Sequence, residues 1–88
     1  MIFIILWRFK GKPTKEGVSG AAKLMEQTEK GGAKYLSNYW TLGRYDGVSI
    51  VEAKDEKEAM RAVLRWGDHL STETLVAVSQ EEAAKLVE

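Results

Sequence analysis

The segment Ile2-Phe3-Ile4-Ile5-Leu6-Trp7-Arg8-Phe9 is apolar at odd and even positions alike. Side chains of a strand point alternately to its two faces, so such a run has no face suited to water. It is expected to be a central strand covered on both sides. For a chain of 88 residues this is a heavy demand, because a domain of that size buries only roughly 60–65% of the surface its unfolded form exposes. Small cores are usually reinforced by disulfides, a structural metal or a partner subunit. Cysteine is absent and His69 is the lone histidine. Disulfides and thiolate metal sites are therefore excluded, and an all-protein zinc site is not expected. Association between copies of the chain is what remains.

The rest of the pattern supplies partners for that strand. Gly11-Lys12-Pro13-Thr14 ends it, and Thr14 is placed to cap a helix running to about Lys30. Val18, Ala21, Ala22, Met25 and Thr28 form a narrow apolar stripe, and Glu26 and Lys30 form an i,i+4 pair outside it. Gly31-Gly32 stops the helix. A second strand is expected over about 33–42, with Tyr35, Ser37, Tyr39 and Thr41 on one face and Leu36, Asn38, Trp40 and Leu42 on the other. The next turn lies at Gly43-Arg44 or at Asp46-Gly47, the Asp-Gly pair being the stronger local signal. Val48 to Val51 reads as a third strand. Asp55 and Glu58 resemble a capping box opening a second helix with Ala59, Met60, Val63, Leu64 and Gly67 inward. A fourth strand over about 72–79 places Leu75 and Ala77 on one face and Val76 and Val78 on the other. Ser79 and Glu82 then open a short helix with Ala83, Leu86 and Val87 inward.

This order, βαββαβ plus a C-terminal helix, describes a single α+β domain of ferredoxin-like build over residues 1–88. Its four-stranded antiparallel sheet has the first and third strands central and two helices on one face. The other face should then be polar, yet the first and fourth strands are apolar on it. Exposing it would leave a patch of several hundred Å², more than a soluble monomer tolerates. Burying it would contribute about 10 kcal/mol per subunit before association costs. The bare face is expected to be the interface of a homo-oligomer, sheet against sheet; the alternative is that the C-terminal helix folds back over it.

Lys+Arg and Asp+Glu both number 13, for a formal charge of zero. That balance argues against nucleic acid or an anionic membrane as partner. The first apolar run is too short for a membrane span, so a cytoplasmic location is expected. Amides are scarce, with only Gln27, Asn38 and Gln80, which leans toward a heat-adapted source.

With Tyr39-Trp40-Thr41-Leu42-Gly43-Arg44-Tyr45-Asp46 in view, the chain resembles the GYD-domain family, whose pattern is approximately Y-x-T-x-G-x-Y-D before a short apolar strand. Tyr39, Thr41, Gly43, Tyr45 and Asp46 match it, and the likeness continues through Val48 to Ala53, Asp55, Glu58-Ala59, Thr72 to Leu75 and Ala77. Lys54 stands where members often have Pro, and Gly47 where an apolar residue is common. The second departure favours a turn at Gly43-Arg44 with Asp46 already in the third strand. The resemblance implies a ferredoxin-like domain of the dimeric α/β-barrel kind, and brings no established activity, since related barrels include cofactor-poor monooxygenases, isomerases and ligand sensors.

Candidate ligand-binding residues are Tyr39, Thr41, Tyr45, Asp46 and His69. Tyr45 and Asp46 offer a phenol and a carboxylate at a hairpin, suited to a polar ligand or proton transfer; the structural alternative has Asp46 accepting backbone N–H bonds while Tyr45 packs over the turn. His69, the lone imidazole, is a candidate acid/base or single ligand to a bound metal, or else a companion to the preceding helix C-terminus. Trp7, Tyr35, Tyr39, Trp40 and Trp66 would line an apolar pocket between sheet and helices, or serve as core and interface packing. No phosphate loop, RNA-binding aromatic signature or nucleophile elbow is present. The expectation is a small-molecule-binding module without a cofactor or metal. The alternatives are a cofactor-independent enzyme, such as an isomerase or small monooxygenase, and a structural or partner-binding protein.

Overall fold

Strand β1 spans Ile2–Phe9 and is central, as its two-sided apolarity demands. In a computed structural model, which describes residues 1–87, it is flanked by β3 (Gly47–Glu52) and β4 (Leu70–Ala77). Strand β2 (Lys34–Trp40) completes a sheet of order β2-β3-β1-β4. All three pairings are antiparallel; Ile4 lies opposite Ile50 on one side and Leu75 on the other. Helices α1 (Lys15–Lys30) and α2 (Glu56–Arg65) follow β1 and β3, and α3 (Gln80–Lys85) ends the chain. The element order is βαββαβ plus α3, the ferredoxin-like α+β arrangement. No helix among the described residues is long and apolar enough to cross a membrane.

The two sides of β1 separate cleanly. Phe3, Ile5 and Trp7 are buried with Val51, Ala53, Ala59 and Ala62 in the core beneath α2, Phe3 being 2% exposed. Ile2, Ile4 and Leu6, with Val48 and Ile50, are only half-buried on the open face. Phe3 alone, once buried, contributes about 1.5–3 kcal/mol relative to an exposed ring.

Caps fix the helices where the sequence places them. Thr14 Oγ1 accepts the Gly17 N–H at 3.0 Å, and Asp55 Oδ1 accepts the Glu58 N–H at 2.9 Å. Glu58 Oε1 accepts in return from the Lys54 N–H at 3.1 Å. The hairpin turns through Gly43, whose φ of 108° lies in the region glycine favours. Asp46 stands just before β3 and not yet in it, but donates its N–H to Trp7 O at 2.9 Å. The turn is therefore at Gly43-Arg44 and not at Asp46-Gly47.

Three expectations need correction. First, β2 carries a bulge between Tyr35 and Ser37, so the faces do not alternate evenly. Tyr35 pairs with buried Val51 and shares the helix face with Asn38 and Trp40, while Ser37 and Tyr39 lie on the open face. Second, α2 turns Glu58, Ala59 and Ala62 inward and leaves Met60 and Leu64 exposed. The capping carboxylate of Glu58 takes a buried place and rotates the inward face. Third, α3 buries no residue; Leu86 and Val87 are not inward, and the helix does not cover the open face.

Gly47 is required by its neighbour: a Cβ built there falls inside the Trp7 indole. Gly47→Ala is expected to destabilise the domain by about 3 kcal/mol, read as a lower urea midpoint followed by far-UV circular dichroism.

Candidate functional site

The bare backbone at Gly47 lets the Trp7 indole lie over β3. Trp40 of β2, opposite Gly47 on the other side, then reaches across it. Trp7, Phe9 and Trp40 meet edge to face, with centroids 5.3 Å apart for Trp7–Phe9, 6.1 Å for Trp7–Trp40 and 5.1 Å for Phe9–Trp40. Polar atoms under this aromatic floor are satisfied in sequence. Trp7 Nε1–H donates to Ser49 Oγ at 3.2 Å, and Ser49 donates to Asn38 Oδ1 at 2.6 Å.

A wall rises from the end of α2. Trp66 Nε1–H donates to Tyr35 Oη at 3.0 Å. Burial pushes the Tyr35 phenol pKa above its ordinary value, against the opposing pull of this hydrogen bond. The loop onward is pinned to the residue just past β1, with Lys10 N–H donating to His69 O at 3.0 Å and Lys10 Nζ to Gly67 O at 2.5 Å. His69 itself is exposed and stands on this wall beside Asp68.

Helix α1 forms the roof. Its C-terminal half is anchored by Thr28, 1% exposed, whose hydroxyl donates to Leu24 O at 2.8 Å. Its first turns, from Lys15 to Gly20, are wholly exposed. A cavity of about 980 Å³ opens between them and the sheet, with Gly17, Val18 and Ala21 above and the aromatic floor below. That is the upper end of the range for small-molecule sites, and the lining is mostly apolar with few polar groups, as such sites are. All three tryptophans of the chain line it. Among the described residues no cluster of His, Asp or Glu could hold a metal ion.

The candidate residues read from the sequence fall in two places. His69 faces the cavity. Tyr39, Thr41, Tyr45 and Asp46 gather at the β2–β3 hairpin. Tyr39 lies on the open face opposite Val48. Thr41 N–H donates to Asp46 O at 2.8 Å and its hydroxyl to Tyr45 O at 2.7 Å. Asp46 Oδ2 accepts the Phe9 N–H at 2.8 Å, binding the hairpin to the end of β1. The Tyr45 ring sits between two guanidiniums, Arg8 at 5.4 Å and Arg44 at 5.7 Å from its centroid, and its hydroxyl donates to Glu73. Of the five aromatic residues singled out for a pocket, Trp7, Tyr35, Trp40 and Trp66 line the cavity and Tyr39 does not. Sequence reasoning missed Phe9, Asn38 and Ser49; only the shared strand parity of Trp7 and Phe9 pointed to the first.

The bond to Glu73 raises the Tyr45 pKa above 10.0. A raised phenol stabilises the fold fully below the ordinary tyrosine pKa, and that contribution disappears as pH climbs through the folded value. Wild type and Tyr45→Phe are therefore expected to differ in urea midpoint at neutral pH and to converge in strong alkali, while Glu73→Ala lowers the Tyr45 titration seen by phenolate absorbance. Asp46→Ala removes the acceptor of the Phe9 N–H and is expected to destabilise by about 1–3 kcal/mol, measured by chemical denaturation.

No curated protein matches the chain. The sequence pattern of the GYD domain matches residues 3–87, a span that holds the hairpin clamp, the cavity and all of the sheet but Ile2: the chain belongs to the GYD domain family.

Proposed function

We propose that this chain is a small-molecule-binding module that works as a homo-oligomer and takes a planar, largely apolar ligand between α1 and the sheet. The cavity carries this reading: an aromatic floor and wall, a roof of small side chains, and a roof helix anchored only at its far half. Two interior glycines, Gly17 and Gly20, weaken α1 by about 1 kcal/mol each relative to alanine. A Cβ at Gly20 would meet nothing within 4 Å, so packing in this structure does not demand a glycine there. Room for a guest explains it better. The uncommitted Asn38 amide group and His69 supply the few polar contacts that orient a ligand.

The open sheet face supports the oligomer. Ile2, Ile4, Leu6, Val48 and Ile50 form a continuous apolar surface, and a second copy against it completes a barrel-like assembly of the dimeric α/β kind. The cysteine-free, charge-balanced and amide-poor composition suits a cytoplasmic and heat-adapted setting. A second reading, a proton-transfer enzyme needing no organic cofactor, is favoured by His69 and Asp68 standing on the cavity wall. Turnover unchanged in His69→Ala during a substrate screen removes it.

Because every tryptophan lines the cavity, intrinsic fluorescence reports on its occupancy. With 2-naphthol and 1-naphthoate as probes, the wild type is expected to show quenching and a raised melting temperature. Ala21→Trp, which fills the roof side, is expected to abolish both. No response to either probe, or the same response in the filled variant, refutes the site.

A further inference from the structure

Helix α3 is capped like an element with a place to go, yet it buries none of its own residues in its own chain. Ser79 Oγ accepts the Glu82 N–H at 3.1 Å, while Leu86 and Val87 are 81% and 88% exposed. The arm leaves β4 at Ala77, opposite Ile2.

At the other end of the open face lies a basic pair, in which Arg8 Nε–H donates to Arg44 O at 2.6 Å and the Glu73 carboxylate is reached through the Tyr45 hydroxyl. Arg8 and Arg44 flank Tyr45, and neither guanidinium has a carboxylate within salt-bridge distance among the described residues. Next to them Leu6 and Val48 are only half-buried. The arm offers the complement: Glu81 and Glu82 in the first turn of α3, and Leu86 and Val87 at its end. It cannot bring the two carboxylates to the arginines in its own chain. Glu82 lies five residues past Ala77, two extended and three in α3, a reach of about 11 Å, whereas about 20 Å of β1 separate Ile2, beside that root, from Arg8.

A twofold axis resolves the mismatch. In a self-complementary interface each residue meets its counterpart's partner reciprocally. Turning the second copy end for end brings its arm root over this chain's Arg8 end. We infer that α3 is an exchange arm, laid in the homo-oligomer across the Tyr45 end of the neighbouring copy's open face, with Glu81 and Glu82 toward Arg8 and Arg44 and with Leu86 and Val87 on Leu6 and Val48. The inference rests on the sheet-face oligomer proposed above and adds the element that closes its rim.

Sedimentation equilibrium of the full chain, a chain ending at Val78 and the variant Glu81→Gln/Glu82→Gln tests both levels. The truncation is expected to weaken dimerisation about a hundredfold or more, as exposing two aliphatic side chains per arm implies. The charge variant is expected to lose most of the salt dependence of association. A benzophenone photocrosslinker at Val87 in the full chain, which needs no truncation to fold, should join two chains through a peptide containing residues 43–48. Unchanged affinity on truncation, or crosslinks confined to one chain, overturns the arm while leaving the sheet-face dimer standing. A full-length chain that stays monomeric at micromolar concentration overturns both.

Discussion

The contact between the Trp7 indole and the bare backbone of Gly47 organises one end of this molecule. Without a side chain at 47, the ring lies down over the neighbouring strand and exposes an edge to Trp40 and to Phe9. A side chain there would lift the indole, and the floor of the cavity with it. The same contact ties core to site, since Trp7 is both a buried core residue and part of the floor of the ligand space. Core packing and ligand shape are therefore not independently adjustable here.

The family hairpin works on the reverse side of the same strand end. Thr41, Tyr45 and Asp46 spend their hydrogen bonds on backbone and on Glu73, fastening the β2–β3 turn to the last residues of β1. Asp46 receives the Phe9 N–H at the point where β1 outruns its pairing with β3. The motif thus holds Phe9 in register over the cavity without facing the cavity itself. Its chemistry is that of a clasp, and its most polar members look toward the open sheet face.

Much of this was legible in the residues. The two-sided apolar run at Ile2–Phe9 required a central strand, and the caps at Thr14, Asp55 and Ser79 marked the helix starts because a side-chain oxygen before a helix has one obvious use. The inward face of α2 was not legible: hydrophobic spacing chose Met60 and Leu64, whereas Glu58 is buried because its carboxylate answers the Lys54 N–H. The cavity was half legible. Four aromatic residues were recognisable as lining, but the stand-off of α1 depends on how far two elements separate in space, and only Gly17, Val18, Gly20 and Ala21 hint at it.

The irregularity in β2 has a consequence for how this chain tolerates change. One additional residue between Tyr35 and Ser37 lets a single edge strand send Tyr35 to the ligand space and Tyr39 to the opposite surface. Removing Leu36 would restore even alternation and leave Tyr35 and Tyr39 three positions apart, still on opposite faces, because strand parity reverses with each position. Loss of the codon for Leu36 thus leaves pocket and outer face in place, whereas a further residue elsewhere in β2 would turn one of the two tyrosines to the wrong side.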